Sequence, residues 1–360
     1  MNTSIYLIAL VSFLGSAISC VLVIATKVLH SKYSFDWDMK SGQKYHSVPV
    51  PRIGGLTVFL GLIVGTVVFG LKADEQLNLS LWAGVAAIPV FLGGIFEDVS
   101  KKITPQHRLV LAFLSAAIAT YELKIGLLSV GWPWFDNNLL ALPGVALALT
   151  IFMVGGVAHS TNIIDGFNGL LLGFSLCVLG VFLWVAAKVS DHALVMYATI
   201  MVGSLLGFGI FNFPKGRIFL GDGGAYLIGF LLAVLSLLMV RRHPNISPWF
   251  PLLILSYPIV ETLFSVVRKK MVSGRPAMTP DNFHLHMLVY EYLSKPVSYR
   301  LRINQNATTS VIMWMIAFTS IVPGLIWWES TPILILFLVL FCALYTSIYT
   351  WLFHKLSQNN

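Results

Sequence analysis

The chain has 360 residues, of which 57% are hydrophobic and only 11% are charged, and its mean hydropathy is +0.82. Soluble domains carry about 25% charged residues, so this composition excludes a soluble globular protein and predicts an all-α polytopic integral membrane protein. Membrane lipids are its expected surroundings, and nothing in the composition indicates a nucleic-acid partner. The formal net charge of +8 gains a meaning only when the basic residues are assigned to one side of the membrane.

Eleven apolar runs are candidate transmembrane helices, since a span needs about 20 residues. Their approximate bounds are 4–26, 53–71, 79–96, 108–123, 139–157, 169–187, 193–211, 223–240, 249–267, 308–328 and 331–353. The first run lacks the basic residues and the small-residue cleavage site of a signal peptide, so we expect a retained helix. No internal repeat or soluble domain interrupts the series, which predicts a single transmembrane domain over residues 1–360.

Lysine and arginine divide unequally between the two sides that eleven spans create. Only five of the 23 fall on one side, and they are Lys72, Lys124, Lys188, Arg241 and Arg242. The others belong to the C-terminus and to loops at about 27–52, 97–107, 158–168, 212–222 and 268–307. Because basic residues stay on the cytoplasmic side, we predict that the N-terminus is outside and the C-terminus is cytoplasmic.

Acidic insertions interrupt the apolar pattern, and the predicted topology places all of them on the cytoplasmic side. Glu97 and Asp98 end the third run, Asp165 lies within the stretch 161–170, and Asp222 opens the eighth run. Ionisable residues at the edge of a membrane are candidate functional residues by default. Asp165 or Asp222 alone could simply begin a helix, because Asp is a favoured N-cap. Their occurrence together on one face favours a shared site.

The chemistry of these residues indicates a cation and a phosphorylated substrate. Carboxylate and amide oxygens form a hard-cation site, and Mg²⁺ prefers few protein oxygens together with substrate phosphates. The lysines and arginines of the neighbouring loops would neutralise those phosphates. The pattern therefore predicts an active site on the cytoplasmic face that handles a nucleotide diphosphate.

Basic and imidazole side chains near the acids have two interpretations each. Arg52, at the edge of the second run, could snorkel to the interface or hold a phosphate. His284 and His286 share a face only if the backbone is extended, which makes them a poor helical zinc pair. We expect these histidines to donate hydrogen bonds to phosphate or sugar, and a structural role is the alternative.

Five motifs occur in order and on one predicted side of the membrane. They are Pro-x-Pro-Arg-x-Gly-Gly at 49–55, the acidic pair Glu97-Asp98, Asn-x-x-Asp-Gly-x-x-Gly-Leu at 162–170, Gly-Asp-x-Gly at 221–224 and His-x-His at 284–286. With these motifs the chain resembles the bacterial polyprenyl-phosphate N-acetylhexosamine-1-phosphate transferases. The resemblance covers nearly the whole chain and implies a multi-pass protein of the bacterial inner membrane. The peptidoglycan-initiating phospho-MurNAc-pentapeptide transferase is a more distant relative.

The resemblance implies a reaction and a set of roles. Undecaprenyl phosphate attacks the β-phosphorus of a UDP-N-acetylhexosamine and releases UMP with Mg²⁺, or Mn²⁺ as the alternative cation, which initiates O-antigen or other surface polysaccharide synthesis. The catalytic residues that it implies are Glu97, Asp98 and Asp165, and the implied metal ligands are Asn162, Asp165 and Asp222. The residues implied to bind substrate are Lys44, His46, Arg52, Lys102, Asn168, Lys215, Arg217, His284 and His286. A homodimer is compatible with this family.

Several positions depart from the family pattern, including Lys40 and Gln43 in the first loop, where relatives usually have Pro and Arg. Glu97 and Asn168 stand where relatives often have Asp, and Met287 stands in place of a histidine. The reduced number of histidines favours UDP-GlcNAc, or a deoxy sugar such as UDP-QuiNAc or UDP-FucNAc, over the peptidoglycan precursor, which stays an alternative. Two other classes are an anion transporter, whose site would lie near the membrane midplane, and an inactive relative that binds polyprenyl phosphate without turnover.

Overall fold

The computed structural model describes residues 2–35, 49–70, 77–273, 282–294 and 304–358. This part of the chain consists of helices joined by loops and holds no β-strand, only an isolated bridge between Phe35 and Pro51. The α-helices are α1 (Asn2–Ala25), α2 (Lys27–Ser34), α3 (Gly54–Gly70), α4 (Leu77–Ser100), α5 (Pro105–Glu122), α6 (Pro133–Phe135), α7 (Pro143–Ile164), α8 (Leu170–Lys188), α9 (His192–Asn212), α10 (Gly221–Arg242), α11 (Trp249–Ile254), α12 (Ser256–Arg268), α13 (Leu285–Ser294), α14 (Gln305–Ile326) and α15 (Thr331–Ser357). Two π-helical turns, Asp136–Leu140 and Lys269–Ser273, follow α6 and α12.

Within the described ranges, eight helices are long and apolar enough to cross a membrane, and they are α1, α4, α7, α8, α9, α10, α14 and α15. This confirms the predicted class of all-helical, multi-pass membrane protein. The other three apolar runs of the sequence correspond to α3, which has 17 residues, to α5, and to the consecutive helices α11 and α12. Each predicted run is therefore helical, although only eight helices reach the length and hydropathy of a span.

The ninth apolar run is a helix broken in two at Leu255. The break has a covalent cause, because Pro258 has no amide hydrogen to donate to the carbonyl of Ile254, one turn earlier. The amide of Leu255 donates to the carbonyl of Pro251 at 3.0 Å, and the short helix α11 ends with this hydrogen bond. The apolar pattern predicted one continuous helix here because it does not register this lost hydrogen bond.

Helix α10 is the centre of the bundle. It packs against α3, α4, α7 and α8. Of its most apolar 18-residue stretch, 94% of the residues are buried, whereas the corresponding value for α1 and for α15 is only 22%. Helices that are apolar all round can be buried in protein or face lipid, so composition alone cannot separate these two cases. The two ends of α10 therefore lie in protein surroundings at opposite faces of the bundle.

Glycines let three helices meet backbone to backbone at the start of α10. A Cβ on Gly55 of α3 would lie 2.3 Å from the nitrogen of Gly224, and one on Gly94 of α4 would lie 2.4 Å from the Cα of Gly223. Small residues permit such close packing between membrane helices. This packing brings the segment before α3 and the last turn of α4 to the first turn of α10.

At the other end of α10, one buried carboxylate joins two loops. Asp191 is the N-cap of α9, and its Oδ1 accepts a hydrogen bond from the amide of Leu194 at 3.1 Å. Its Oδ2 lies 2.6 Å from Nε of Arg242 and 2.8 Å from Nε2 of His243. Burial alone would raise the pKa of Asp191, but the hydrogen bonds from Arg242 and His243 hold this pKa below its ordinary value. We call Asp191, Arg242 and His243 the Asp191 triad.

Candidate active site

Two aspartates and two arginines meet where α3, α4, α5 and α10 converge. Nη2 of Arg52 lies 3.2 Å from Oδ1 of Asp222 and 3.6 Å from Oδ1 of Asp98. Arg108, in the first turn of α5, forms an ion pair with Oδ2 of Asp222. The side chain of Asp98 is fully buried, while 27% of the Arg52 side chain is exposed. We call these four residues the charged cluster.

Asp98 caps the N-terminus of α10. Its Oδ1 accepts a hydrogen bond from the amide of Asp222 at 2.8 Å, and its Oδ2 accepts one from the amide of Gly223 at 2.9 Å. The first amides of a helix have no partner within it and carry partial positive charge, so a carboxylate is well placed there. Asp98 thus fixes the backbone that carries Asp222.

The carboxylate of Asp222 is left to face the arginines. The N-cap of α10 is Leu220, and no side chain caps this helix from that position. The interpretation in which Asp222 merely begins its own helix is therefore wrong, since Asp98 performs that task from a neighbouring helix. Asp222 supplies a charge that local helix formation does not require.

The geometry around Asp98 requires glycine at position 221. Gly221 has φ +75°, and a Cβ there would lie 2.0 Å from the carbonyl oxygen of Arg52 and 2.5 Å from Oδ2 of Asp98. L-amino acids rarely adopt this backbone conformation, and the space is already filled. The Gly-Asp-Gly-Gly pattern is thereby explained by the close approach of Arg52 and Asp98.

Backbone hydrogen bonds hold the segment before α3 against the segment before α10. The amides of Gly54 and Gly55 donate to the carbonyls of Phe219 and Leu220 at 2.9 and 2.7 Å. The amide of Phe219 donates in turn to the carbonyl of Pro51 at 2.8 Å. These bonds fix the position of Arg52 relative to α10, so the Pro-Arg-x-Gly-Gly segment and the Gly-Asp-x-Gly segment form one unit.

Asp165 lies at the C-terminus of α7, next to this unit. Its amide is 3.4 Å from the carbonyl of Asn162, and it is the C-cap of α7. The N-cap of α8 is Gly169, so the interpretation of Asp165 as the start of the following helix is wrong. Burial raises the pKa of Asp165 to about 7, against the opposing influence of the Arg52 guanidinium. A carboxyl group with such a pKa can accept or release a proton near neutral pH.

The end of α7 is tied to α10 by one hydroxyl group. Oγ1 of Thr161 donates to the carbonyl of Ala225 at 3.0 Å, in the second turn of α10. A Cβ on Gly229 would lie 2.0 Å from the same hydroxyl oxygen. Asn162 and Asp165 come directly after Thr161 in the chain, so this hydrogen bond holds them close to the helix that carries Asp222.

The predicted histidine pair surrounds a buried glutamate that the sequence reasoning missed. Oε1 of Glu261, in α12, lies 2.9 Å from Nδ1 of His284 and accepts the amide of Leu285 at 3.1 Å. Its Oε2 lies 3.9 Å from Nδ1 of His286, and Glu261 is only 1% exposed. A signal for it existed, since Glu261 is an acid inside the ninth apolar run, where every ionisable residue is a candidate.

The two imidazole rings lie parallel and close to the Asp165 turn. Their planes differ by 5° at a centroid distance of 5.5 Å, although the residues are not in an extended strand. His286 is fully buried, and a Cβ on Gly166 would lie 3.2 Å from its Nε2. Burial lowers the pKa of His286 to about 4, so this ring is neutral at pH 7. The His-x-His motif thus reaches the Asn-x-x-Asp-Gly motif.

Arg108 is a second member of the site that sequence reasoning did not assign. In the sequence it is one of several basic residues at the edge of a predicted cytoplasmic loop, and no local pattern shows that it faces Asp222. Its guanidinium lies over the ring of Tyr226 at 5.7 Å, and the Tyr226 hydroxyl is 2.7 Å from Nδ1 of His159. Its Nε is buried and has no hydrogen-bond partner among the described residues.

Comparisons with known proteins identify the family. The family model described as "Glycosyl transferase family 4" matches residues 80–240. The chain is 30% identical to the undecaprenyl-phosphate alpha-N-acetylglucosaminyl 1-phosphate transferase of Salmonella typhi over 265 residues, which cover 70% of this chain and 68% of the relative. The chain belongs to this transferase family.

Other family members are similar over a larger share of the chain. The probable undecaprenyl-phosphate N-acetylglucosaminyl 1-phosphate transferase of Bacillus subtilis is 26% identical over 84% of this chain and 80% of its own length. The Thermotoga maritima undecaprenyl-phosphate alpha-N-acetylglucosaminyl 1-phosphate transferase is 24% identical over 80% of this chain and 81% of its own length. These matches confirm the resemblance that the five motifs indicated.

The positions where the chain departs from the family pattern have structural contacts of their own. Oε2 of Glu97 accepts the amide of Ile103 at 2.7 Å and closes the turn after α4. The amide of Asn168 donates to Oδ1 of Asn306 at 2.7 Å, and its side chain donates to the carbonyl of Pro214 at 3.2 Å. Glu97 and Asn168 thus stabilise loops beside the charged cluster.

The remaining predicted residues lie around the site or outside the described part. Lys102, Lys215 and Arg217 are exposed, in the turns before α5 and α10. Lys44 and His46 lie outside the described residues. Within the described ranges, no group of three or more His, Cys, Asp or Glu side chains is arranged to hold a metal ion.

Proposed function

We propose that this family member transfers an N-acetylhexosamine 1-phosphate from a UDP-sugar to undecaprenyl phosphate and releases UMP. The observation that supports this proposal most directly is the charged cluster, in which Asp98 and Asp222 share Arg52 where the ends of four helices converge. Its relatives are named as transferases that act on undecaprenyl phosphate. A lipid phosphate must lie at the membrane interface, and helix ends are the part of the bundle that reaches it.

We propose that the chain crosses the bacterial inner membrane eleven times, with its N-terminus outside. Three of these crossings would be α3, α5 and the pair α11–α12, which are shorter or less apolar than the eight clear spans. The distribution of lysine and arginine supports this orientation, which puts the charged cluster on the cytoplasmic side. UDP-sugars are made in the cytoplasm, so the orientation places the donor and the site together.

The two arginines fit the pyrophosphate of the donor. Guanidinium groups bind phosphate oxygens through paired hydrogen bonds, and Arg52 has 27% of its side chain exposed. Arg108 has a buried Nε without a partner among the described residues, which gives it one further hydrogen bond to donate. The exposed Lys102, Lys215 and Arg217 would attract the anionic donor from solution, together with Lys44 and His46.

The protein atoms that could bind a metal ion at this site fit Mg²⁺ better than a soft metal. They are carboxylate and amide oxygens, and the described part holds no cluster of histidine and cysteine ligands. Asp222 and Asn162 would hold the ion together with substrate phosphates, because Mg²⁺ needs only one or two carboxylates from the protein, and Asp165 would then keep its carboxylate for proton transfer. When bound, the ion would neutralise charge that develops on the phosphate oxygens. Mn²⁺ prefers the same ligands.

The acidic residues of the site would have two further roles, which are positioning of the backbone and proton transfer. An oxygen of the lipid phosphate forms a bond to the β-phosphorus while the bond from that phosphorus to the bridging oxygen breaks, and UMP leaves with this oxygen. A proton on the lipid phosphate would pass to Asp165, whose pKa of about 7 suits a proton acceptor. Asp98 would act by holding the backbone of Asp222, and Glu97 by holding the adjacent turn.

The position of the acids favours this reaction over transport. Transporter sites lie near the middle of the membrane, whereas Asp98, Asp165 and Asp222 occupy helix ends at one face. We propose UDP-GlcNAc as the donor, as in the names of the relatives, with UDP-QuiNAc and UDP-FucNAc as the other candidates. The product would initiate O-antigen or another surface polysaccharide. If the protein forms a homodimer, each chain would contain one complete site.

UMP release by the detergent-purified protein tests the proposal. The assay contains undecaprenyl phosphate and one UDP-sugar at a time, including the peptidoglycan precursor UDP-MurNAc-pentapeptide, with and without EDTA. We expect release that requires the lipid, is abolished by EDTA, and occurs with one N-acetylhexosamine donor. Release from the peptidoglycan precursor alone would reassign the substrate, and no release from any donor would contradict the proposed function.

A further inference from the structure

Glu261 is a carboxylate in the bundle interior that the proposed reaction does not use directly. It lies in α12 with 1% exposure, beside the fully buried Tyr257 one turn earlier. Burying a charge in such surroundings is costly unless it is paired and hydrogen-bonded. His284 and Leu285 donate hydrogen bonds to its Oε1, and His286 lies within ion-pair distance of its Oε2, so these partners belong to the predicted histidine motif.

The contacts of Glu261 decide which ring nitrogen of each histidine carries the proton. A carboxylate only accepts hydrogen bonds, and Nδ1 is the atom of His284 that lies 2.9 Å from it. Nδ1 of His286 lies 3.9 Å from Oε2 of Glu261. The negative charge of this carboxylate favours a proton on Nδ1 of His286 as well. The hydroxyl of Tyr257, 3.5 Å from the same Nδ1, is the competing partner.

The opposite nitrogen of His286 then carries a lone pair toward the Asp165 turn. Nε2 of His286 is buried and has no hydrogen-bond partner within the described part of the chain. It lies 3.2 Å from the position that a Cβ on Gly166 would occupy. The ring also packs edge-on against Phe167, at a centroid distance of 5.7 Å, so its orientation is fixed by packing on both sides.

We propose that Glu261 is a positioning residue that keeps Nδ1 of His284 and His286 protonated, so that His286 presents an unprotonated Nε2 beside the Asp165–Gly166 turn. There Nε2 accepts a hydrogen bond from a hydroxyl or amide group of the bound donor. A residue that holds the far nitrogen of a histidine sets the tautomer and orientation of the near one. This inference rests on the proposed function.

Nitrogen-15 NMR of histidine-labelled protein reads the tautomer directly. The chain has nine histidines, and the variants His284→Gln and His286→Gln assign the two resonances of interest. We expect His286 of the wild type at pH 7.5 to show a protonated Nδ1 and a bare Nε2. In Glu261→Gln, which preserves the side-chain volume, the amide group can donate to Nδ1, so we expect a substantial share of His286 with the proton on Nε2.

The same variant changes turnover if the tautomer matters for the reaction. Loss of a group that orients a functional histidine costs about 10- to 100-fold, so we expect kcat of Glu261→Gln to fall by that factor while KM for the UDP-sugar changes less. Glu261→Asp retains the charge and should keep Nδ1 of His286 protonated, with an intermediate kcat. A Glu261→Asp protein with a reversed tautomer would contradict the proposal even if Glu261→Gln failed to fold.

Two control variants on α12 separate positioning from general packing. Ser256→Ala removes a fully buried hydroxyl that has no partner among the described residues, and Tyr257→Phe removes the competing hydroxyl. Both should keep the wild-type tautomer. An unchanged His286 tautomer in Glu261→Gln, or a changed tautomer with unchanged kcat, would overturn the assignment of Glu261. Absence of UMP release by the wild type would instead contradict the proposed function.

Discussion

The two ends of α10 each carry aspartate and arginine, but the charges are arranged differently. In the Asp191 triad one carboxylate meets an arginine, a histidine and a backbone amide, which come from the end of α10 and the start of α9. In the charged cluster the groups come from α4, α5, α10 and the segment before α3, and Asp98 and Asp222 share Arg52. The triad is complete by itself, whereas the cluster holds Arg108 with a buried Nε that lacks a partner among the described residues.

This difference teaches how to separate a structural ion pair from a functional one in a membrane bundle. Both regions obey the rule that a buried charge is paired. At the charged cluster, however, glycines 55, 94, 221, 223 and 224 stand where a Cβ would collide with a neighbouring segment. Asp165 adds a further acid whose pKa is near neutrality. At the N-terminal end of α10, close helix approach, an excess of acids and a hydrogen-bond donor without a partner among the described residues occur together.

Removing one arginine from each region should give the largest contrast. Arg52→Met removes the charge shared by Asp98 and Asp222, and we expect kcat/KM for UMP release to fall by about 100- to 1000-fold, as for the loss of one oxyanion-stabilising donor. Arg242→Met removes the corresponding partner of Asp191 at the other end. We expect this control to keep activity within a factor of about two to three of the wild type, on the scale of a remote substitution. Equal losses in both variants would show that the two regions do not differ in function.

A single methyl group at position 221 should come next. Gly221→Ala places a Cβ 2.0 Å from the carbonyl oxygen of Arg52, so the backbone must move and Asp222 with it. A displacement of about 1 Å at a reacting site can cost about 100-fold in rate, which is the loss that we expect. Gly84→Ala in α4 is the matched control, because a Cβ there meets no described atom within 4 Å. Full activity of Gly221→Ala would contradict the close packing at the charged cluster.

The acidity of Asp165 should appear in the pH dependence of the rate. A proton acceptor works only when it is unprotonated, and burial raises the pKa of Asp165 to about 7. We therefore expect kcat/KM to fall about tenfold per pH unit below 7 and to be level above it. The lipid phosphate titrates near pH 6, so the two ionisations are separated by comparing wild type with Asp165→Asn. A wild-type profile that stays level down to pH 5 would argue against Asp165 as the acceptor.

The smallest effect should be one of stability at the Asp191 triad. Because the folded-state pKa of Asp191 is lowered, its contribution is present above the ordinary Asp range near pH 4 and is lost as the pH falls through the folded-state value. Asp191→Ala also removes the N-cap of α9, so we expect a loss of about 1–3 kcal/mol at pH 7. Thermal unfolding of wild type and variant at pH 7 and pH 3 measures this, and the difference between them should shrink at pH 3. A constant difference would mean that Asp191 is not ionised in the fold.

Much of the fold followed from the sequence because lipid imposes simple constraints. Apolar runs of sufficient length must be helical, since backbone groups in hydrocarbon need internal hydrogen bonds. All eleven runs are indeed helical, and the alternation of sides placed Asp98, Asp165 and Asp222 on one face. Periodicity could not tell that α10 is central and α15 peripheral, because both are apolar on every face.

The side-chain arrangement could be predicted only in part. That Asp98 caps α10 depends on a contact across 124 positions, and no local pattern encodes it. Arg108 was indistinguishable from the other basic loop residues until its pairing with Asp222 was visible. Glu261 could have been found, because an acid in an apolar run is informative on its own, but its partners His284 and His286 belong to another segment.

Lipid-dependent UMP release by Asp222→Asn, measured beside Asp191→Asn at equal protein concentration, tests the central claim most directly. The account predicts that Asp222→Asn still folds, because its carboxylate caps no helix, and loses nearly all activity. It predicts that Asp191→Asn, whose amide can still cap α9, stays active. An active Asp222→Asn protein would contradict the assignment of the charged cluster as the active site.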